Sequence, residues 1–216
     1  MERFFFFFFY FCATKIYKMS LRKAYLLIFI LLLVDQVSKI YIKTNFILGE
    51  EVEVFKWFKI LFIENEGMAW GVQIPGAYGK LFLTLFRIAA VGGIGYWLWD
   101  SVKKKSSDYL IVAISLILVG AFGNIIDSVF YGVIFDDSQQ QLATLFSDQP
   151  YGTWFHGKVV DMFYFPFWHG NLPSWLPIWG GKEFTFFNAI FNVADMAIST
   201  GVGILIFFNK KAFHHD

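Results

Sequence analysis

YLIVAISLILVGAFGNIIDSV, residues 109–129, decides the fold. It carries no charged side chain before Asp127 and is long enough, at about 20 residues, to cross about 30 Å of hydrocarbon. An apolar run of that length belongs in a bilayer. Three further stretches resemble it: residues 26–46, residues 81–99 (interrupted by Arg87) and residues 184–208. The composition agrees. Of 216 residues, 57% are hydrophobic and 16% charged, against about 25% charged in soluble domains. The expected class is an all-α membrane protein of four transmembrane helices, with a small extracytoplasmic β-sheet and an outer loop or short helix.

Charge is segregated along the chain, although the net charge is only +1. Lys15, Lys18, Arg22 and Lys23 precede the first span. Lys103, Lys104 and Lys105 fill the link between the second and third, and Lys210 and Lys211 follow the fourth. The positive-inside rule places all three clusters, and both termini, in the cytoplasm. Segments 45–80 and 130–183 then face outward, with Glu50, Glu51, Glu53, Asp136 and Asp137 among their acids. Residues 52–63 alternate in part and are rich in β-branched and aromatic side chains, which predicts a short antiparallel sheet at the membrane surface. Residues 164–179 have the Trp, Phe and Pro content of an interfacial aromatic belt. Gly92, Gly93 and Gly95, on the second span, suggest close helix packing. The small net charge gives no reason to expect nucleic acid as a partner. Cys12, the single cysteine, excludes an intrachain disulfide and a Cys-rich metal site.

The run MERFFFFFFYF at residues 1–11 is too short to span and is followed by no small-residue cleavage site. Residues 1–18 read as a low-complexity extension, with Met19 as the expected true start. Residues 19–211 are expected to form a single four-helix transmembrane domain, and residues 212–216 a cytoplasmic tail.

Ionisable groups inside a span are costly and mark functional sites by default. Asp35 and Lys39 are spaced i, i+4 on the first helix, acid before base. Arg87 on the second, Asn124 and Asp127 on the third, and Asn192 and Asp195 on the fourth all fall in the outer half when the helices alternate in direction. Asp161 lies in the apolar run VVDMFYF, which can dip towards the bilayer. Several of these residues have structural alternatives. Asp35–Lys39 can be a simple ion pair, Arg87 can snorkel to headgroups, and Asn124 can hydrogen-bond neighbouring helices. Asp195 has no base within a helical turn to neutralise it. It must be protonated or share a proton with another carboxylate, and Asp161 is the best-placed partner. Such a dyad supplies an acid and a base at neutral pH. His156, His169, His214 and His215 lie outside the spans, and no HExxH occurs, so neither a metal nor another cofactor is expected. Ser115 has no base in register for a serine mechanism. A proton-coupled transporter is a competing reading, but the polar groups stop in the outer half and no inverted repeat is visible. A non-catalytic assembly factor would need none of the carboxylates.

Taken in order, five blocks resemble the lipoprotein signal peptidase (signal peptidase II) family. They are DQVSK at Asp35–Lys39, NEGMAWG at residues 65–71, GNIID at residues 123–127, VVDMF at residues 159–163 and FNVAD at residues 191–195. The resemblance implies an intramembrane aspartic endopeptidase with Asp161 and Asp195 as the catalytic pair. Asn65, Gly67, Asn124, Asp127 and Asn192 become substrate-binding or dyad-orienting residues, and Asp35 and Lys39 supporting structure. The implied reaction removes the signal peptide of a prolipoprotein by cleavage N-terminal to a diacylglyceryl-modified cysteine. The implied setting is the bacterial cytoplasmic (inner) membrane, as a multi-pass monomer in contact with lipid. Two departures stand out. Ser128 occupies the place where the family usually has arginine after GNxxD, and Arg87 is the expected substitute. The segment between Asp127 and Asp161 is also longer than the family's usual link, as an added lid or a surface loop.

Overall fold

The structure, a computed structural model, describes residues 19–65 and 78–213. The extension before Met19, Cys12, Gly67 and the rest of the NEGMAWG block beyond Asn65 lie outside the described residues. Three helices are long and apolar enough to cross a membrane: α1 (Leu21–Asn45), α2 (Gly79–Lys103), and α3 (Asp108–Ile126) with its continuation to Ile134. A fourth apolar helix, α5 (Val193–Phe207), has 15 residues.

Ser20 and Ser107 accept from the backbone N–H groups of Lys23 and Leu110, capping α1 and α3. Lys103 sits in the last turn of α2, where a cation suits the exposed carbonyls. Beyond Ile126 the helix widens into a π-turn, Asp127–Tyr131, followed by a last short turn, α4 (Gly132–Ile134). Such widenings recur at functional sites because they re-aim side chains without ending the helix. Here the widened turn begins at Asp127.

The expected surface sheet is present and larger than the alternation implied. Strands β1 (Glu51–Phe55), β2 (Phe58–Asn65), β3 (Val159–Tyr164) and β6 (Ile190–Phe191) form one antiparallel sheet in the order β1-β2-β3-β6. A second, two-stranded sheet pairs β4 (Trp168–Asn171) with β5 (Glu183–Phe186). The chain is therefore helical in its core with a mixed outer layer, which the label all-α does not describe.

The start of the last helix needs correction. Residues 184–191 are apolar and read as the beginning of a span, but they run into β5 and β6. A short apolar run is compatible with either state. Asn192 decides the boundary, because its extended backbone ends β6 and its side chain caps α5 at the N–H of Asp195.

α3 is the central helix. Its buried residues include Ile111, Ile114, Leu116 and Val119, and it packs most extensively against α5. Two glycines make this approach possible. A Cβ at Gly201 would stand 2.7 Å from the carbonyl oxygen of Ala113, and one at Gly120 would stand 2.6 Å from Ile198 Cγ1. Gly123 faces Asp35 and Ala194 in the same way. The glycines of α2 do not play this role: Gly92, Gly93 and Gly95 have nothing within 4 Å of their Cβ positions. α2 is the peripheral helix, with Phe82, Leu85, Phe86 and Tyr96 exposed on its lipid-facing side.

The two sets of glycines give opposite expectations. Gly201→Ala must push backbone apart and costs about 1–3 kcal/mol, as overpacking does. Gly93→Ala, in open space on a helix, is neutral or stabilising by up to about 1 kcal/mol. Thermal unfolding of the detergent-purified variants checks both; a destabilised Gly93→Ala would mean that α2 packs on something at that face.

Candidate active site

Four of the blocks, with Asn65 from the fifth, meet where β3 packs against α1, α3 and α5. Lys39 is at the centre. Its ammonium is 3.0 Å from Asp35 Oδ2 and 2.8 Å from Asp127 Oδ2, and it donates to Asn124 Oδ1 at 2.8 Å. Those three acceptors use its three protons. Lys39, Asp35 and Asp127 are all buried. Asp35 also accepts from the backbone N–H of Ala194 at 2.9 Å, which ties α1 to the first turn of α5. Asp127 accepts from the N–H of Val160 at 3.3 Å, which ties the π-turn to β3 one residue before Asp161.

Asp161 is brought in by the sheet and Asp195 by the helix. Asp161 is 4% exposed. Its Oδ1 accepts from Asn192 Nδ2 at 2.7 Å, and its Oδ2 accepts from Asn65 Nδ2 in a short contact. Asp195 occupies the third position of α5 in a capping box: its N–H donates to Asn192 Oδ1 at 2.9 Å, and Asn192 N–H donates to Asp195 Oδ2 at 3.3 Å. Asn124 Nδ2 donates to Asp195 Oδ1 at 2.9 Å. The FNVAD block thus has a local physical meaning, since N-x-x-D caps the helix and aims both side chains at one place. Asn192 joins the two aspartates. It also donates to Asn124 Oδ1 and to the carbonyl of Val160, both at 3.2 Å.

Burial pushes the Asp161 carboxyl up to about 8, and the neighbouring charge of Asp195 adds to the shift. The amide of Asn192 and the ammonium of Lys39 oppose it without cancelling it. At neutral pH Asp161 is therefore mostly protonated.

The remaining residues singled out in the sequence divide. Asn65 touches Asp161, Asn124 touches Asp195 and Asn192 touches both, whereas Asp127 stands one step away behind Lys39 and β3. Ser128 directs its hydroxyl to the carbonyl of Asn124 at 2.9 Å. Arg87 is half-buried on α2. One of its terminal nitrogens is buried with no hydrogen-bond partner among the described residues, and Asp195 is the charge acting on it.

Gln36, inside the DQVSK block, was not singled out. It donates to Asp35 Oδ2 and Asp127 Oδ1, both at 3.0 Å, and Tyr131 donates to its carbonyl oxygen at 3.3 Å. Its position beside Asp35 was the available signal. The long outer segment is a packed part of the structure. Tyr131, Phe135 and Ala143 join Ile42, Phe62, Val160 and Met162 in one core cluster, and the N–H groups of Phe155 and Gly157 bond to the carbonyls of Val129 and Ser128.

Comparison with known proteins gives the family. The family model described as Signal peptidase (SPase) II matches residues 27–209. The chain belongs to the signal peptidase II family. It is thus a peptidase of a family that spans the bacterial membrane. The lipoprotein signal peptidase of Porphyromonas gingivalis is 53% identical over 182 residues, covering 83% of this chain and 79% of its own. That of Amoebophilus asiaticus is 38% identical over 197 residues, covering 88% and 78%. Two solved structures of a bacterial membrane enzyme share the fold. One has a TM-score of 0.60 at 24% identity, over 93% of this chain and 99% of its own; the other has 0.59 at 25%, over 90% and 96%.

The raised Asp161 carboxyl sets a sign for stability. Between its unfolded value near 4 and its folded value of about 8, the folded state binds more protons than the unfolded state, so stability falls as pH rises. The unfolding midpoint of the wild type therefore drops more steeply between pH 5 and 8.5 than that of Asp161→Asn. Parallel curves would show that the folded protein does not hold a proton at Asp161.

Proposed function

We propose that the chain is an intramembrane aspartic endopeptidase that removes signal peptides from prolipoproteins by cleaving N-terminal to the diacylglyceryl-modified cysteine. The observation that carries this reading is the meeting of Asp161 and Asp195, one from a strand and one from a helix N terminus, joined by Asn192. Asp195 is the general base and Asp161 the general acid. Asp195 takes a proton from water as its oxygen adds to the scissile carbonyl carbon, while Asp161 gives its proton to the carbonyl oxygen. In the collapse, the protonated Asp195 delivers its proton to the leaving amine nitrogen, and Asp161 recovers its own from the hydroxyl. The pair ends as it began, and no step calls for a metal or cofactor. Asn65, Asn124 and Asn192 orient the carboxyls, with Asp127, Lys39 and Asp35 behind them.

In this reading α5 is a fourth span. It starts at the depth of the dyad rather than at the outer surface, so 15 residues rising about 1.5 Å each cover about 22 Å towards the cytoplasmic side. The basic clusters place both termini in the cytoplasm and the sheets outside. Residues 19–211 act as one monomeric domain, residues 1–18 as a dispensable extension and residues 212–216 as a tail. The substrate's acyl chains stay in lipid beside the helices, so anchoring delivers the bond to the dyad. Arg87, which has a buried donor without a partner among the described residues and feels the charge of Asp195, holds a substrate carbonyl oxygen in the role of the family arginine that Ser128 replaces.

Purified protein fed a diacylglyceryl-modified prolipoprotein tests the dyad. Wild type cleaves it, and Asp161→Asn and Asp195→Asn each lose about three or more orders of magnitude in kcat, as members of a catalytic unit do. Cleavage by both variants would end the aspartic mechanism. Because the acid must be protonated, wild-type activity declines as pH rises through about 8. Arg87→Ala lowers kcat/KM by about ten- to a hundredfold; full activity in that variant would remove Arg87 from the site.

A further inference from the structure

A second buried ionic cluster lies one turn further along α1. Lys43 falls on the same helix face as Asp35 and Lys39 and is fully buried. Its ammonium forms a short ion pair with Glu64 Oε1 and donates to Ser138 Oγ at 2.7 Å. Ser138 in turn donates to Glu64 Oε1 at 3.2 Å, and Lys158 Nζ stands 3.5 Å from Glu64 Oε2. The rings of Tyr151, Phe135 and Phe62 surround the ammonium at 4.9, 5.3 and 5.9 Å. Helix α1, strand β2 and the outer segment therefore meet at one charge.

Stability does not account for this arrangement. Burying an ion pair costs several kcal/mol in desolvation, and apolar side chains of similar volume would hold the same elements together as well or better. What the charges add is position. The β2–β3 ladder is interrupted between Ile60 and Ile63, so pairing at the start of β2 does not dictate where its end lies. Glu64 lies at that end, immediately before Asn65. Successive strand residues point to opposite faces. Glu64 is anchored on one face, and on the other Asn65 sits diagonal to Asp161, which pairs with Ile63.

We propose that Lys43, Glu64 and Ser138 form a positioning cluster that sets the Asn65 amide against Asp161, making the outer segment part of the catalytic apparatus through Ser138. None of the three touches substrate; each acts through Asn65. The inference rests on the aspartic dyad. Asn65 donates to the Asp161 carboxylate, so a misplaced Asn65 lowers the rate and raises the pH at which Asp161 gives up its proton. The charged groups around Asp161, namely Asp195 on α5, Lys39 on α1 and Asp127 in the π-turn, are untouched by the change.

The test compares wild type, Glu64→Gln, Ser138→Ala, Asn65→Ala and the Glu64→Gln/Asn65→Ala double variant on diacylglyceryl-modified prolipoprotein in detergent. Glu64→Gln is expected to lower kcat about tenfold with KM changed less than about twofold, and to move the upper pH limb upward. In the Asn65→Ala background the same change is expected to have almost no further effect, because residues acting through one contact are not additive. Unchanged kcat and pH limb in Glu64→Gln would overturn the proposal, as would a full tenfold loss on top of Asn65→Ala. If Glu64→Gln does not fold, Ser138→Ala replaces it in the cycle under the same criteria. Failure of the dyad itself would show separately, as cleavage by Asp161→Asn.

Discussion

The structure depends on where one ammonium ion sits. Lys39 has three protons and three acceptors, one each from Asp35, Asp127 and Asn124. Taking that ammonium away would leave two buried carboxylates facing each other, a loss of about 3–5 kcal/mol for a broken buried pair. The triad is therefore a poor source of net stability and a strict source of geometry. Asp35 reaches from it to Ala194 in the first turn of α5, Asp127 to Val160 on β3, and Asn124 to Asp195. Every element that delivers a dyad residue is thus held to α1 through a single cation.

The two aspartates arrive by different routes, and the difference sets their chemistry. Asp161 comes on an internal strand, where burial dominates and the neutral acid is favoured. Asp195 comes at the third position of a capped helix, where a backbone N–H and an amide both point at its oxygens. A symmetric pair would need an external influence to decide which member holds the proton. Here the surroundings differ, because one carboxyl is buried on a strand in an apolar cluster and the other is at a helix N terminus.

What was legible in the sequence follows from which signals survive in a bilayer. Polar residues are rare inside spans, so Asp35, Lys39, Asn124, Asp127, Asn192 and Asp195 stood out, and the alternating directions of the helices placed them at one depth. Apolar residues carry much less information. In water, an apolar stripe tells the buried face of a helix from the exposed one; in lipid both faces are apolar. That is why Gly92, Gly93 and Gly95 could not be told from Gly120 and Gly201, and why residues 184–191 passed for helix. Gln36 and Lys43 were missed for a related reason. Each lies beside, or one turn from, a residue already noticed, and only the folded chain shows that they have separate partners.

All four aspartates of the network accept on both oxygens, but their partners differ in kind. Asp35 spends both oxygens, on Lys39 and Gln36 at one and on Ala194 at the other. Asp127 spends both, on Gln36 at one and on Lys39 and Val160 at the other. Asn124 and Asn192 each donate and accept within the network. Asp35 and Asp127 are each paired to the buried Lys39 ammonium. Among the described residues, Asp161 and Asp195 are hydrogen-bonded by neutral N–H donors rather than by an ammonium ion. Neutral donors leave no unpaired buried cation behind when such a bond changes, so the asparagines hold the two carboxyls in place without tying either to a lysine.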